Sequence, residues 1–147
     1  MTAAVVPGAL PPGALGPVLP GWTLRLTQAA AAAMTLAAVA GWTPVAPFVL
    51  LLGALLAAAA VAFPASHVPT AFLAACALAG LTADGAITPW VSLAVLGVHA
   101  SHVTAALAAV VPVRASVERA ALTPTLRRFA AAQAAGQLLV LLAWALT

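Results

Sequence analysis

Residues 89–113, PWVSLAVLGVHASHVTAALAAVVPV, form the longest apolar stretch of the chain and contain no charged side chain. A transmembrane helix needs about 20 consecutive, predominantly apolar residues, so this stretch is long enough to cross a bilayer. It therefore predicts a membrane-spanning helix. Two histidines, His99 and His102, lie in the interior of that helix.

The composition of the whole chain also indicates a membrane protein. Of its 147 residues, 65% are hydrophobic and 5% are charged, and the mean hydropathy is +1.18. Soluble domains average about 25% charged residues, so this chain could not cover a water-facing surface. The absence of Lys, Asn and Tyr is typical of a very GC-rich genome. We expect an all-α integral membrane protein of a bacterial cytoplasmic membrane, with the lipid bilayer as its immediate partner.

Proline, glycine and tryptophan divide the apolar sequence into five predicted spans. The spans cover residues 22–41, 45–63, 66–83, 89–113 and 125–146. The third span is short, because its strongly apolar part covers only residues 70–83 and a crossing needs about 20 residues. Four spans with a re-entrant segment at 66–83 are therefore the alternative. Asp84 and Gly85 predict a turn after this segment.

Two regions outside the spans have their own patterns. Residues 1–21 contain five prolines and four glycines, a density that ends helices, and they lack the basic start of a signal peptide. We expect a flexible tail there, followed by a helical bundle over residues 22–147. The polar connection after residue 113 predicts a short surface helix and then a break, with Thr123 and Pro124 beginning the last span.

The arginines predict the orientation of the bundle. Four of the five lie in the last connection and the start of the last span: Arg114, Arg119, Arg127 and Arg128. The positive-inside rule places this region in the cytoplasm, and five spans then place Arg25 on the same side. Four spans would place Arg25 opposite the others. We therefore predict five spans with a cytoplasmic N-terminus, and we interpret the basic cluster as a topology signal and not as a nucleic-acid interface.

A few polar side chains lie inside the predicted spans. His99 and His102 are three residues apart and so project from one face of a helix. Counted at about 1.5 Å per residue from the predicted span ends, His102 lies about 15 Å deep and Gln137 about 18 Å deep. We therefore predict an intramembrane polar seam between the fourth and fifth spans, formed by His99, His102, Gln133 and Gln137.

Several functions are open to these histidines. They could bond the glutamines or a backbone carbonyl and fix helix register, bind haem b or a transition metal, carry protons or a solute, or contact a larger membrane complex. Haem needs a second axial ligand, and His67 lies near the cytoplasmic edge. Zinc or copper needs three or four ligands, and Cys76 completes no obvious set. A proton pathway normally includes an intramembrane carboxylate, whereas Asp84 and Glu118 lie in connections.

The sequence offers no arrangement typical of a catalytic site. Small residues four apart recur instead and favour close packing of helices: Ala29, Ala33, Ala37 and Gly41; Gly53 and Ala57; Ala132 and Gly136. The leading prediction is a non-enzymatic accessory or stabilising subunit of a larger membrane assembly, joined to other subunits or to itself, with no cofactor and no nucleic-acid partner. The alternative is a haem-binding, metal-binding, proton-handling or solute-handling protein that uses His99 and His102.

Residues 99–133, HASHVTAALAAVVPVRASVERAALTPTLRRFAAAQ, resemble the C-terminal half of small uncharacterised polytopic membrane proteins of Actinobacteria. The shared features are a histidine-bearing span, an Arg–Glu connection and RRF followed by Gln at the start of the last span. Because that family has no assigned function, the resemblance implies a lineage and a topology but no site residue.

Overall fold

Five helices account for most of the residues that the structure describes. The computed structural model describes residues 16–83 and 86–146, so residues 1–15 of the expected tail and the expected turn at Asp84 and Gly85 lie outside the described residues. The helices are α1 (Trp22–Trp42), α2 (Pro47–Ala62), α3 (Val68–Gly80), α4 (Pro89–Val110) and α5 (Arg119–Ala145). Two short strands, β1 (Val18–Pro20) and β2 (Ser116–Glu118), form an antiparallel pair.

Proline determines where three of the helices begin. Pro47 and Pro89 are the first residues of α2 and α4, and Pro69 is the second residue of α3. Proline is tolerated there because the N–H groups of a first turn have no intrahelical acceptor, and its fixed φ already suits a helix. The bounds of α1, α2, α3 and α4 all lie within three residues of the predicted spans.

Successive helices run in opposite directions. At one end of the bundle, called the arginine end because all five arginines lie in or near it, Arg25 of α1 donates from Nη1 to the Val61 carbonyl of α2 at 2.8 Å. At the other end, Gly41 of α1 lies against the Trp90 ring of α4, which leaves no room for a Cβ. The start of α1 thus meets the end of α2, and the end of α1 meets the start of α4.

The closest approach in the bundle is between α1 and α4. A Cβ added to Gly97 would lie 2.6 Å from Thr35 Oγ1 and 3.0 Å from Thr35 Cα. The Thr35 hydroxyl donates to the Ala31 carbonyl at 2.8 Å, so Ser101 supplies the proton for the 3.2 Å bond between the Ser101 and Thr35 hydroxyls. This interface therefore combines small residues with one interhelical hydrogen bond, as membrane helices commonly do.

The ridge of small residues predicted on the first span is not the main packing face of α1. Ala33, Ala37 and Gly41 are exposed, and Ala29 is only partly buried. The face that packs inward is adjacent to that ridge and consists of Leu24, Gln28, Ala31, Ala32, Thr35, Ala38 and Val39. Since alanine is abundant on every face of this helix, spacing alone did not identify the buried one.

The connection before α5 differs from the predicted surface helix and break. Residues 116–118 form β2, α5 begins at Arg119, and the helix continues through Pro124, so it starts six residues before the predicted span 125–146. Residues 18–20, expected to belong to a flexible tail, supply the partner strand β1. Gly21 N–H also donates to the Ala115 carbonyl at 2.6 Å. This long-range pairing replaces the local helix that the sequence predicted.

Helix length and composition agree with a membrane protein. Among residues 16–83 and 86–146, three helices are long and apolar enough to cross a membrane, namely α1, α4 and α5. The other two are apolar but shorter, with 16 residues in α2 and 13 in α3.

Candidate functional site

Ser92 and Gln137 join the non-arginine halves of α4 and α5. The Ser92 hydroxyl donates to Gln137 Oε1, and Gln137 Nε2 donates to the Ser92 carbonyl at 3.0 Å. Both side chains are partly buried between the helices. The Ser92 carbonyl can accept this bond although it lies within a helix, because a carbonyl oxygen can accept a second hydrogen bond from a neighbouring helix.

His99 and Gln133 form the second polar contact between α4 and α5. His99 Nδ1 lies 3.2 Å from Gln133 Oε1, and the Phe129 ring packs against the imidazole with centroids 4.6 Å apart. Because Gln133 Oε1 only accepts, this contact requires the neutral tautomer with its proton on Nδ1, in which Nε2 is an acceptor, and it leaves the buried Gln133 Nε2 without a partner among the described residues. In the part of the chain that the structure describes, His99 Nε2 has no hydrogen-bond partner.

The structure does not bring His102 and Gln137 together. His102 is exposed and lies eight residues from the end of α4, about 12 Å, whereas Gln137 lies about 27 Å from the start of α5 at 1.5 Å per residue. Ser92 lies about 27 Å from the end of α4, level with Gln137. The predicted similar depth of His102 and Gln137 is wrong because the helix ends were misplaced by three residues in α4 and six in α5. Of the four predicted polar residues, His99 and Gln133 meet, Gln137 bonds Ser92, and His102 faces outward.

A cavity of about 530 Å³ lies between α1, α3, α4 and α5, beside the His99–Gln133 pair. Val91, Val95 and Val98 of α4 form one wall, and Trp42 of α1 forms another. His99 follows Val95 by four residues, so it continues the same face of the helix. The remaining lining residues are Val39, Cys76, Ala77, Gly80, Leu81, Ala94, Ala132 and Gln133. The cavity is thus an apolar groove, open on one side, with one imidazole and one amide in its wall.

Two polar residues of α1 donate hydrogen bonds to the last carbonyl groups of α2. Gln28 Nε2 donates to the Ala60 carbonyl at 2.9 Å, next to the bond from Arg25 to Val61. The last carbonyls of a helix have no intrahelical donor, so these side chains satisfy groups that would otherwise be unpaired in an apolar environment. No role was predicted for Gln28. The feature that could have indicated this role is a polar side chain three positions after Arg25 in an otherwise apolar span.

Of the other two candidate ligands, Cys76 lies on this cavity and His67 does not. Cys76 is a buried free cysteine that lines the cavity from α3, and His67 is exposed between α2 and α3 at the arginine end. Among the described residues, no three His, Cys, Asp or Glu side chains are grouped so that they could hold a metal ion. His99 is therefore the only histidine that the structure places on the cavity.

No family model, curated protein or solved structure matches this chain. The resemblance of residues 99–133 to small actinobacterial membrane proteins accordingly stays an expectation.

Proposed function

We propose that this chain is a five-span protein of a bacterial cytoplasmic membrane, with its arginine end in the cytoplasm, and that it is a non-enzymatic subunit that assembles with another membrane polypeptide. The topology is supported by the alternating direction of the five helices and by the position of all five arginines at one end, as the positive-inside rule asks. The two shorter helices, α2 and α3, are about 24 and 20 Å long. The residues between and after them lengthen the segments that would cross the bilayer.

The observation that carries the assembly proposal is the exposure of His102. It lies about 12 Å inside α4, faces away from the bundle, and has no hydrogen-bond partner among residues 16–83 and 86–146. Ionisable side chains at such a depth are costly and almost always face protein or a water-filled cavity. A neighbouring polypeptide that presents a hydrogen-bonding side chain at this depth would pair the imidazole and remove it from lipid.

The position of α5 gives a second line of support. None of the most apolar 18-residue segment of α5 is buried, whereas 39% of the corresponding segment of α1 is buried. Within the described chain, α5 packs mainly on α4. Lipid can cover the outer face of α5, but the face that is turned away from α4 is also free to contact a partner.

A photo-crosslinking amino acid at position 102 tests the proposal in native membranes. The matched control is the same amino acid at Leu55, which is 60% exposed on α2. We expect one defined adduct from position 102 and none from position 55, and we expect the adducted polypeptide to co-purify in stoichiometric amount in mild detergent. His102→Leu should reduce that co-purification at least tenfold without lowering the thermal stability of the chain itself.

Two results would contradict the proposal. An adduct with twice the mass of this chain would show that the partner is a second copy and not a different subunit. A monodisperse monomer, with no adduct from position 102 in membranes, would show that lipid alone covers His102.

A further inference from the structure

We propose that the cavity between α1, α3, α4 and α5 binds a compact apolar molecule that carries a hydroxyl group, and that His99 Nε2 accepts the hydrogen bond from that hydroxyl. This inference does not depend on the assembly with a partner, because the cavity and His102 involve different side chains.

The size and lining of the cavity suit a small apolar ligand. Its volume of about 530 Å³ lies within the range of about 300–1,000 Å³ that is usual for sites that bind drug-sized molecules. Such sites are mostly apolar and contain a small number of placed polar groups. Here the walls are aliphatic apart from His99, Gln133, Trp42 and Cys76. The Trp42 Nε1 group is already used in a 3.2 Å bond to the Ala86 carbonyl, whereas Gln133 Nε2 is a buried donor with no partner among the described residues.

His99 supplies the polar group, and its neighbours fix both its orientation and its tautomer. Gln133 Oε1 accepts from Nδ1, and Phe129 packs against the ring. The ring is therefore held with Nε2 as an acceptor that has no donor within the described chain. An acceptor in an apolar site gains most from a ligand that brings a donor, because an unpaired polar group there loses its hydrogen bonds to water. A hydroxyl meets this requirement, whereas a plain acyl chain does not.

A second groove differs from this cavity in having no polar side chain in its lining. The groove between α1 and α2 has a volume of about 440 Å³, and only alanine, leucine and valine line it. That groove has similar room but no side-chain hydrogen-bonding group. The two cavities therefore predict different selectivity within one molecule: hydroxyl-dependent binding beside His99 and none between α1 and α2.

The test uses two probes that differ only in their hydrogen-bond donor, 4-bromo-4′-hydroxybiphenyl and its methyl ether. Bromine quenches tryptophan fluorescence, and Trp42 lines the cavity, so quenching is measured on the purified full chain in mild detergent. We expect saturable quenching by the phenol and about tenfold weaker binding of the ether, the size expected for one net hydrogen bond. Trp42→Phe should remove the saturable component of the quenching.

Two variants assign the selectivity to the site. His99→Phe keeps a ring against Phe129 but removes both nitrogens, and it should lower the affinity for the phenol to that for the ether. Ala77→Phe places a ring in the cavity from an exposed position and should weaken binding of both probes. Equal binding of the two probes to the native chain would overturn the proposal, and so would a preference for the phenol that persists in His99→Phe. If a variant fails to fold, the affinities of the phenol and the ether for the native chain still test the proposal.

Discussion

Ser92 and Gln137 exchange two hydrogen bonds across α4 and α5, although 45 residues separate them in the sequence. Each residue uses a donor and an acceptor, so a shift of either helix by one residue would break both bonds. Together with the His99–Gln133 contact, this pair fixes the register of a helix that packs on little else within the described chain.

Removing the amide of Gln137 should loosen α5. We expect Gln137→Leu to lower the free energy of unfolding in detergent by about 0.6–1.7 kcal/mol, from the average to the maximum measured for interhelical hydrogen bonds in a membrane protein. Thermal unfolding followed by circular dichroism measures the change. Leu138→Met, at an adjacent exposed position, is the control and should have little effect. Equal stability of the two variants would show that the Ser92–Gln137 bonds do not hold α5.

Gly97 should tolerate substitution less well than Gly136, although both lie on helix interfaces. A Cβ at position 97 meets the Thr35 backbone at 3.0 Å, whereas a Cβ at position 136 meets only the tip of the Val95 side chain at 3.3 Å. Backbone atoms of a packed helix cannot move aside as a methyl group can. We expect Gly97→Ala to cost about 1–3 kcal/mol, the usual range for overpacking. Gly136→Ala should cost less than 1 kcal/mol in the same denaturation assay, and the reverse order would contradict the described approach of α1 and α4.

Arg25 should matter for stability in a way that the other arginines do not. Arg25→Leu leaves the Val61 carbonyl at the end of α2 without its donor, and an unsatisfied buried polar group costs about 1–3 kcal/mol. Arg127→Leu removes the same charge from an exposed position at the same end of the bundle and should stay within about 0.5 kcal/mol. Because the charge change is identical, a difference in melting temperature between the two variants reports the local contacts of Arg25 and not its charge.

Labelling with a membrane-impermeant maleimide tests the five-span topology. In a Cys76→Ala background, single cysteines replace Ser66, Ala86 and Ser116, which are all exposed in connections. Five spans with a cytoplasmic arginine end predict that the position-86 cysteine reacts in intact cells. The cysteines at 66 and 116 should react only after the cells are broken. A re-entrant segment at 66–83 would instead place positions 66 and 86 on the same side.

Local sequence signals predicted the helices far better than the contacts between them. Prolines at first turns and long apolar runs placed α1, α2 and α4 within three residues, because both signals act within the segment itself. The start of α5 was missed, since Pro124 suggested a first helical residue while the pairing of β2 with residues 18–20 allows the helix to begin at Arg119. That pairing depends on residues far away in the sequence.

The misplaced helix ends also limited the prediction of the site. Depth counted from helix ends transmits every boundary error to the residues inside, and a shift of six residues moves a side chain by about 9 Å. Gln137 was therefore assigned to the level of His102, although it lies level with Ser92. The cavity and the outward direction of His102 depend on how α3, α4 and α5 are arranged, which no spacing within one helix determines.

The pairing of β1 with β2 has a consequence for how the chain is made. Gly16 and Glu118, which bond across this ribbon, are 102 residues apart, so β1 leaves the ribosome long before its partner strand has been synthesised. By the time β2 appears, α1 to α4 have already been translated. Closure of the ribbon is thus a late event in biosynthesis. It joins Arg119, the first residue of α5, to the Pro17 carbonyl, so the position at which the last helix begins depends on a segment that was synthesised before the other helices.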